Sequence, residues 1–332
     1  MKKMLALLLA VALVGAACGS DDADTTAPAA DTAATTAAPE TTAAPETTAA
    51  PTTAAPTTAA PTTAAPAEEP MEEFPTRILS LSPTGTEMLF AIGAGDQVIA
   101  VDSFSYYPPE APVTDLSAFE PNVEAIAEYE PDLVVYDFDP GDLASGLEAL
   151  GIPTISVPAA ATFDDIYAEI TALGDVTGQV EGAADLVAQM QADIAAAVEA
   201  HDADAGELTF YHEIDTTYFS LTSQTFAGQI YSLFGLVNIA DAQDEDFSAF
   251  GYPQLSEEYI IDQDPDLIFL ADVLYEDQNL DTVADRPGWD TLSAVQAGNV
   301  VELNDDIVSR WGPRVVDYVE AISAALVAMS AG

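Results

Sequence analysis

Lysine is nearly missing from this chain. Its 332 residues hold two lysines, Lys2 and Lys3, and four arginines, Arg77, Arg286, Arg310 and Arg314, against 57 acidic residues, for a net charge of -51. Past residue 20 there are four fixed positive side chains and no lysine at all. That excludes nucleic acid as a partner, because phosphate contacts need Lys and Arg, and an anionic membrane surface would repel the chain. Acidity on this scale suits a salty habitat, where self-repulsion is screened. Cysteine is as scarce. Cys18 is the only one, so the folded part has no disulfide, no thiolate nucleophile and no cysteine-based zinc site. Known catalytic signatures are missing too: there is no G-x-S-x-G elbow, no H-E-x-x-H and no P-loop. The chain is therefore not read as an enzyme. A Ser/His/Asp site on His212 stays open, with nothing to mark its serine, as does a tethered adhesion module.

The N-terminal part is built for export and reach. Residues 1–18 have the form of a secretory signal: Lys2-Lys3, an apolar run Met4–Val14, then Gly15-Ala16-Ala17 before Cys18. The run is short for a transmembrane helix. One reading is ordinary cleavage after a small residue. The other is a bacterial lipobox, which a lone cysteine followed by Gly19-Ser20 resembles and which makes Cys18 a lipidation site. The apolar residue usual three positions before the cysteine is here Gly15, with Val14 one step early. A cysteine with no partner is otherwise a liability in an exported chain, which favours the lipid anchor. Residues 19–75 are mostly Ala, Thr, Pro and acid, with A-A-P-T-T repeated from Pro51 to Pro66. They cannot bury a core and read as a disordered, semi-stiff tether that holds a domain away from the membrane.

The globular part contains one stretch twice. Residues 122–136 read N-V-E-A-I-A-E-Y-E-P-D-L-V-V-Y and residues 256–270 read S-E-E-Y-I-I-D-Q-D-P-D-L-I-F-L. Aligned on Pro-Asp-Leu, Glu124 falls against Glu258 and Asp132 against Asp266. Each copy reads as a short amphipathic helix, stopped near a proline, then an apolar run suited to a buried parallel strand. A looser echo relates Thr84–Asp102 to Thr225–Asp241, each a helix closed by glycine and followed by a strand. In chain order, strands are expected at Arg77–Leu81, Val98–Val101, Leu133–Tyr136, Pro153–Val157, Leu208–Ile214, Leu267–Leu270 and Val300–Leu303. The turn Ser82–Thr86 should cap a helix Glu87–Ile92, and Pro313–Met329 should form a terminal helix begun by proline. Between the two series lies an alanine-rich helical stretch, Phe163–His201, with one interruption at Gly174 and Gly178. Its part from Gly178 onward alone could extend roughly 35 Å at 1.5 Å per residue.

This pattern gives an α/β fold: two similar α/β lobes with mostly parallel sheets, joined by one long bridging helix. The lobes are expected at residues 76–158 and 206–332, with 159–205 between them. His201 reads as the exposed end of the long helix. His212, in Tyr211-His212-Glu213, reads as a hydrogen-bonded core histidine, with a strand-end ligand to cobalt or haem iron as the sharper alternative. Arg77 and Arg286 read as structural ion-pair partners, and Arg314 as paired with an acid.

Several runs carry a family resemblance: R-I-L-S-L-S-P-T-G-T-E-M-L-F-A-I-G-A-G-D, S-Y-Y-P-P-E-A, P-N-V-E-A-I-A-E-Y-E-P-D-L, R-P-G-W-D-T-L-S-A-V-Q-A-G-N-V and G-P-R. Together, over residues 76–330, they resemble the solute-binding proteins of ABC importers for cobalamin and ferric siderophores. The cobalamin branch is nearest, through S-F-S-Y-Y-P-P-E-A and L-S-A-F-E-P-N-V-E. The resemblance implies a ligand cleft between the lobes lined by Tyr106, Tyr107, Phe119 and Phe138, with Trp311 and Arg310 from the second lobe. Tryptophan often stands in that branch where this chain has Phe119. The ligand implied is a corrinoid, a flat ring suited to aromatic walls, with a ferric siderophore or haem as the alternative and no catalytic cofactor. Glu124 and Glu258 would dock on arginines of the membrane permease. The protein implied is a monomeric lipoprotein on the outer face of the cell membrane.

Overall fold

The computed structural model describes residues 74–200 and 208–331. The signal, Cys18, nearly all of the tether and His201 lie outside the described residues. The first lobe is a four-stranded sheet in the order β2-β1-β3-β4, all parallel: β1 is Ile78–Leu81, β2 Val98–Val101, β3 Leu133–Tyr136 and β4 Thr154–Ser156. The second lobe repeats it as β6-β5-β7-β8, with β5 Thr209–Glu213, β6 Val237–Asn238, β7 Leu267–Leu270 and β8 Val300–Glu302. The two sheets share one topology, as the duplicated sequence implied.

The helices of the first lobe are α1 (Pro83–Ala91), α2 (Val123–Ala127) and α3 (Leu143–Ala149). Two longer helices follow, α4 (Phe163–Thr177) and α5 (Val180–Glu199). The second lobe adds α6 (Phe226–Ser232), α7 (Glu257–Gln263), α8 (Val273–Glu276), α9 (Leu280–Ala284), α10 (Ser293–Ala297), α11 (Asp305–Ser309) and α12 (Val315–Ala331). Helix α1 starts four residues before the expected Glu87. Ser82 is its N-cap, accepting a hydrogen bond from the Gly85 N–H, and Pro83 takes the first turn, where a missing N–H costs nothing. The expected turn is thus the first turn of the helix itself.

The bridging segment also differs in detail. It is a helical hairpin rather than one long helix, because Gly178 closes α4 in the left-handed region at φ 76°. Helix α4 starts in the second lobe, where Phe163 meets Phe226 edge-on at 5.2 Å, and ends in the first, where the Thr177 carbonyl accepts from Gln97 at 3.1 Å. Helix α5 returns: Gly182 lies so close to Ile92 that a Cβ would stand 2.1 Å from its carbonyl oxygen, while at the far end the Ser323 hydroxyl of α12 donates to the Ala197 carbonyl. One apolar core, including Ile78, Leu89, Ile170, Met190, Phe210, Tyr231 and Ile322, runs through both lobes and these helices.

The repeated Pro-Asp-Leu has a structural task. Asp132 accepts from the backbone and hydroxyl of Thr76 and from the Arg77 N–H at 2.8–3.1 Å, and Asp266 accepts from the backbone and hydroxyl of Thr209 at 2.8 and 2.9 Å. Each aspartate ties the start of one central strand to the start of its parallel neighbour, supplying acceptors for amides at a strand end. Among the described residues Arg77 does not form the expected ion pair. Its guanidinium donates to the carbonyls of Tyr129 and Glu130, just past α2, where a helix leaves carbonyls without intrahelical partners. Arg286 does pair as expected: its two terminal nitrogens each lie 2.6 Å from an oxygen of Glu213.

Candidate ligand-binding cleft

In parallel sheets the loops after the carboxyl ends of the strands gather at one edge, where backbone groups and side chains are free to meet a ligand. Tyr106 and Tyr107 follow β2, Phe138 follows β3, Tyr275 follows β7, and Asp306, Arg310 and Trp311 follow β8. The lobes meet at this edge. The Tyr106 hydroxyl donates to the Asp306 carboxylate at 2.7 Å and lies 2.6 Å from the Tyr275 hydroxyl, which itself reaches Asp306 at 2.8 Å. Arg310 stacks over the Tyr106 ring at 4.6 Å and pairs with Asp306 at 3.0 Å, one helical turn back. Arg314 covers the Tyr107 ring at 4.0 Å and holds Glu87 of α1 through two bonds of 2.8 and 2.5 Å. Arg310 approaches the same Glu87 at 3.8 Å, and its Nη1 is buried without a hydrogen bond.

Two cavities flank this contact. One, of about 170 Å³, is lined by Thr84, Asp137, Pro158, Ser309 and Trp311; the other, of about 330 Å³, by His212, Tyr252, Tyr275, Asp305, Ser309 and Trp311. Trp311 borders both, held by its indole N–H on the Val308 carbonyl at 3.1 Å and by an edge contact with Phe226. Outside them the first lobe carries an open aromatic surface. Phe119 touches Phe104 and Phe138 at ring distances of 5.5 and 5.4 Å, and the three are 61%, 49% and 39% exposed. On the second lobe Phe247 and Phe250 form an exposed pair, in a loop braced by the buried Asp244 carboxylate.

Burial sets the charge state of the cleft's acids. It pushes the Asp137 carboxyl up to about 6, with the neighbouring Asp102 adding repulsion. It also raises Glu87, while Arg314 pulls that carboxyl back; the two-pronged contact fits the carboxylate form. His212 is 1% exposed, its Nδ1 is 2.7 Å from the Tyr231 hydroxyl, and burial pushes its ring down to about 3, so it stays neutral. No group of three or more potential metal ligands occurs among the described residues.

Of the residues singled out from sequence, Tyr106 and Arg310 come together directly, with Tyr107 on Arg314 beside them, and Trp311, next to Arg310 in the chain, lines both cavities. Phe119 and Phe138 form the adjoining patch. Phe104, Glu87, Tyr275 and Asp306 were not among the candidates. Phe104 lies in the same aromatic loop as Tyr106, and Asp306 precedes Arg310 by four residues, one helical turn. Glu124 and Glu258 are both exposed and occupy the same position, two residues past the N-caps Asn122 and Ser256 of α2 and α7.

The model of a periplasmic binding protein family matches residues 78–307. The chain belongs to that family. It is a family of solute-binding proteins, not of enzymes. The periplasmic binding protein fold seen here is shared with solved structures. The periplasmic vitamin B12 binding protein BtuF of Vibrio cholerae is 28% identical with a TM-score of 0.60, over 78% of this chain and 99% of its own. The periplasmic heme-binding protein RhuT of Roseiflexus sp. RS-1 is 24% identical with a TM-score of 0.64, over 76% and 98%, a likeness of fold. Among curated relatives, an uncharacterized ABC transporter substrate-binding lipoprotein of Bacillus subtilis, YvrC, is 27% identical over 261 residues, 76% of this chain and 80% of its own.

Proposed function

We propose that this protein is the substrate-binding lipoprotein of an ABC importer, that it captures a corrinoid such as cobalamin between its lobes, and that it delivers the ligand to the permease. The observation that carries the ligand class is the exposed aromatic patch of Phe104, Phe119 and Phe138, which continues toward Tyr106 and Tyr107. An exposed apolar surface of stacked rings invites a flat, largely apolar partner, and a corrin offers one with amides at its edge. The vitamin B12 binding relative supports the same reading. Anchoring through Cys18 and docking through Glu124 and Glu258 belong to this proposal. The paired position of the two glutamates, one on each lobe, is what a two-fold permease surface would require.

A visible-absorbance titration tests it. Cyanocobalamin is expected to bind with one site per chain, and Phe119→Ala and Trp311→Ala are each expected to weaken binding tenfold or more, about 1.4 kcal/mol. Saturable binding of haem or a ferric siderophore, with none of cyanocobalamin, would reject the corrinoid and leave the receptor role.

A further inference from the structure

We propose that Glu87 and Asp306 set the charge class of the ligand: by neutralising and covering the only arginines at the cleft, they exclude anionic chelates and reserve the site for an uncharged or cationic one. The inference rests on the reading of this protein as a metal-chelate receptor, and it concerns which chelates that receptor refuses.

An anionic ligand needs a cation with free donors. Beyond Lys3 the chain has only four cationic side chains of fixed charge. Arg77 is occupied by the carbonyls of Tyr129 and Glu130 at the opposite, N-terminal edge of the first sheet. Arg286 is held by both oxygens of Glu213 and stacks on Trp289 at 4.5 Å, inside the second lobe. That leaves Arg310 and Arg314. Each has a carboxylate at hydrogen-bonding distance, Asp306 for Arg310 and Glu87 for Arg314, and Glu87 also faces Arg310. Each also has a tyrosine ring on its guanidinium. Their side chains are only 11% and 13% exposed. The charge of both is therefore balanced within the protein, and the guanidinium nitrogen buried without a hydrogen bond, Arg310 Nη1, faces Glu87 at 3.8 Å. Around them stand further acids, Asp137 in one cavity and Asp305 in the other. A chelate bearing carboxylates or catecholates would meet net negative charge here and no exposed, unpaired guanidinium, whereas amide groups enter without charge repulsion.

A ligand pair that differs in charge and scarcely in shape tests this. The full-length protein is titrated at low ionic strength with cyanocobalamin, which is neutral, and with its monocarboxylate, in which one propionamide is hydrolysed. The monocarboxylate is expected to bind at least fivefold more weakly, with the gap shrinking at 1 M NaCl, where the screening length is about 3 Å. In Glu87→Gln and in Asp306→Asn a guanidinium loses its carboxylate, and the gap is expected to close or invert. Asp306→Asn keeps a side chain of the same shape beside Tyr106 and serves if the buried Glu87→Gln variant fails to fold. A gap under fivefold in the wild type, or the same gap in Asp306→Asn, overturns the inference. If neither corrinoid binds, the corrinoid reading fails separately, and the charge rule is decided by a ferric pair. Cationic ferrioxamine is then expected to bind and trianionic ferric enterobactin to be refused, while binding of the trianion, or of neither, overturns it.

Discussion

Replacing Asp137 with asparagine separates the burden of burying a charge from the hydrogen bond the side chain makes. Asp137 follows β3, lines the smaller cavity beside Trp311, and accepts the Phe138 N–H at 2.9 Å. Burial raises its carboxyl from 3.8 to about 6. The native state therefore holds a proton that the unfolded chain has released between those values. This contribution to stability is complete below about pH 4 and is lost as pH rises through 6, after which the native state carries an ionised, half-buried carboxylate. The span from 3.8 to 6 corresponds to at most roughly 3 kcal/mol, since a partly exposed group keeps some hydration. Asparagine has the same shape, keeps the acceptor for Phe138, and carries no charge at any pH. Asp137→Asn is thus expected to exceed the wild type by no more than about 1 kcal/mol at pH 4.5 and by up to about 3 kcal/mol at pH 8, a rise in Tm at the higher pH on the order of 10 °C for a domain of this size. Urea unfolding followed by the fluorescence of Trp289 and Trp311, at pH 4.5, 6 and 8, measures the difference. A variant whose advantage is the same at all three pH values would refute the argument, because it would show that ionisation of Asp137 is not what weakens the native state.

Other substitutions test other parts of the account. Asp132→Asn and Asp266→Asn remove equivalent charge-assisted bonds to a strand start, and each is expected to cost about 1–3 kcal/mol, with the two losses similar; a large cost at one and none at the other in denaturant melts would contradict their shared role. Gly182→Ala places a methyl 2.1 Å from the Ile92 carbonyl oxygen, so α5 must back away from the first lobe, at an expected cost of about 1–3 kcal/mol or more in the same melts. Glu124→Ala and Glu258→Ala, both exposed and at helix starts, should leave ligand affinity and Tm nearly unchanged while cutting uptake of labelled cobalamin by cells. Uptake equal to wild type in the double variant would remove these glutamates from docking.

The sequence carried much of the fold because both lobes use the same local signals. The duplicated Pro-Asp-Leu marks β3 and β7, Ser82 and Thr225 cap the helices after the first strand of each lobe, and apolar runs mark strands buried on both faces. The hairpin of α4 and α5 was half legible: Gly178 was visible as an interruption, yet only packing decides whether a glycine bends a helix or ends it. The cleft was legible as a set of aromatic loops and illegible as a network. Tyr106 and Asp306 are 200 positions apart, and Arg314 and Glu87 are 227 apart. No periodicity within either segment announces a partner at that distance. Arg77 misled for a related reason: an arginine in so acidic a chain invites a carboxylate, but carbonyls left over at the end of α2 were nearer.

The most direct measurement of the central claim is retention of ligand. The purified protein is incubated separately with cyanocobalamin, haem and ferrioxamine, desalted, and its visible spectrum recorded. Corrin absorbance close to one equivalent, lost in a protein carrying both Phe119→Ala and Trp311→Ala, is the result expected. Stoichiometric haem or ferric chelate in the protein fraction with no corrin, or corrin retained equally by the double variant, would contradict it.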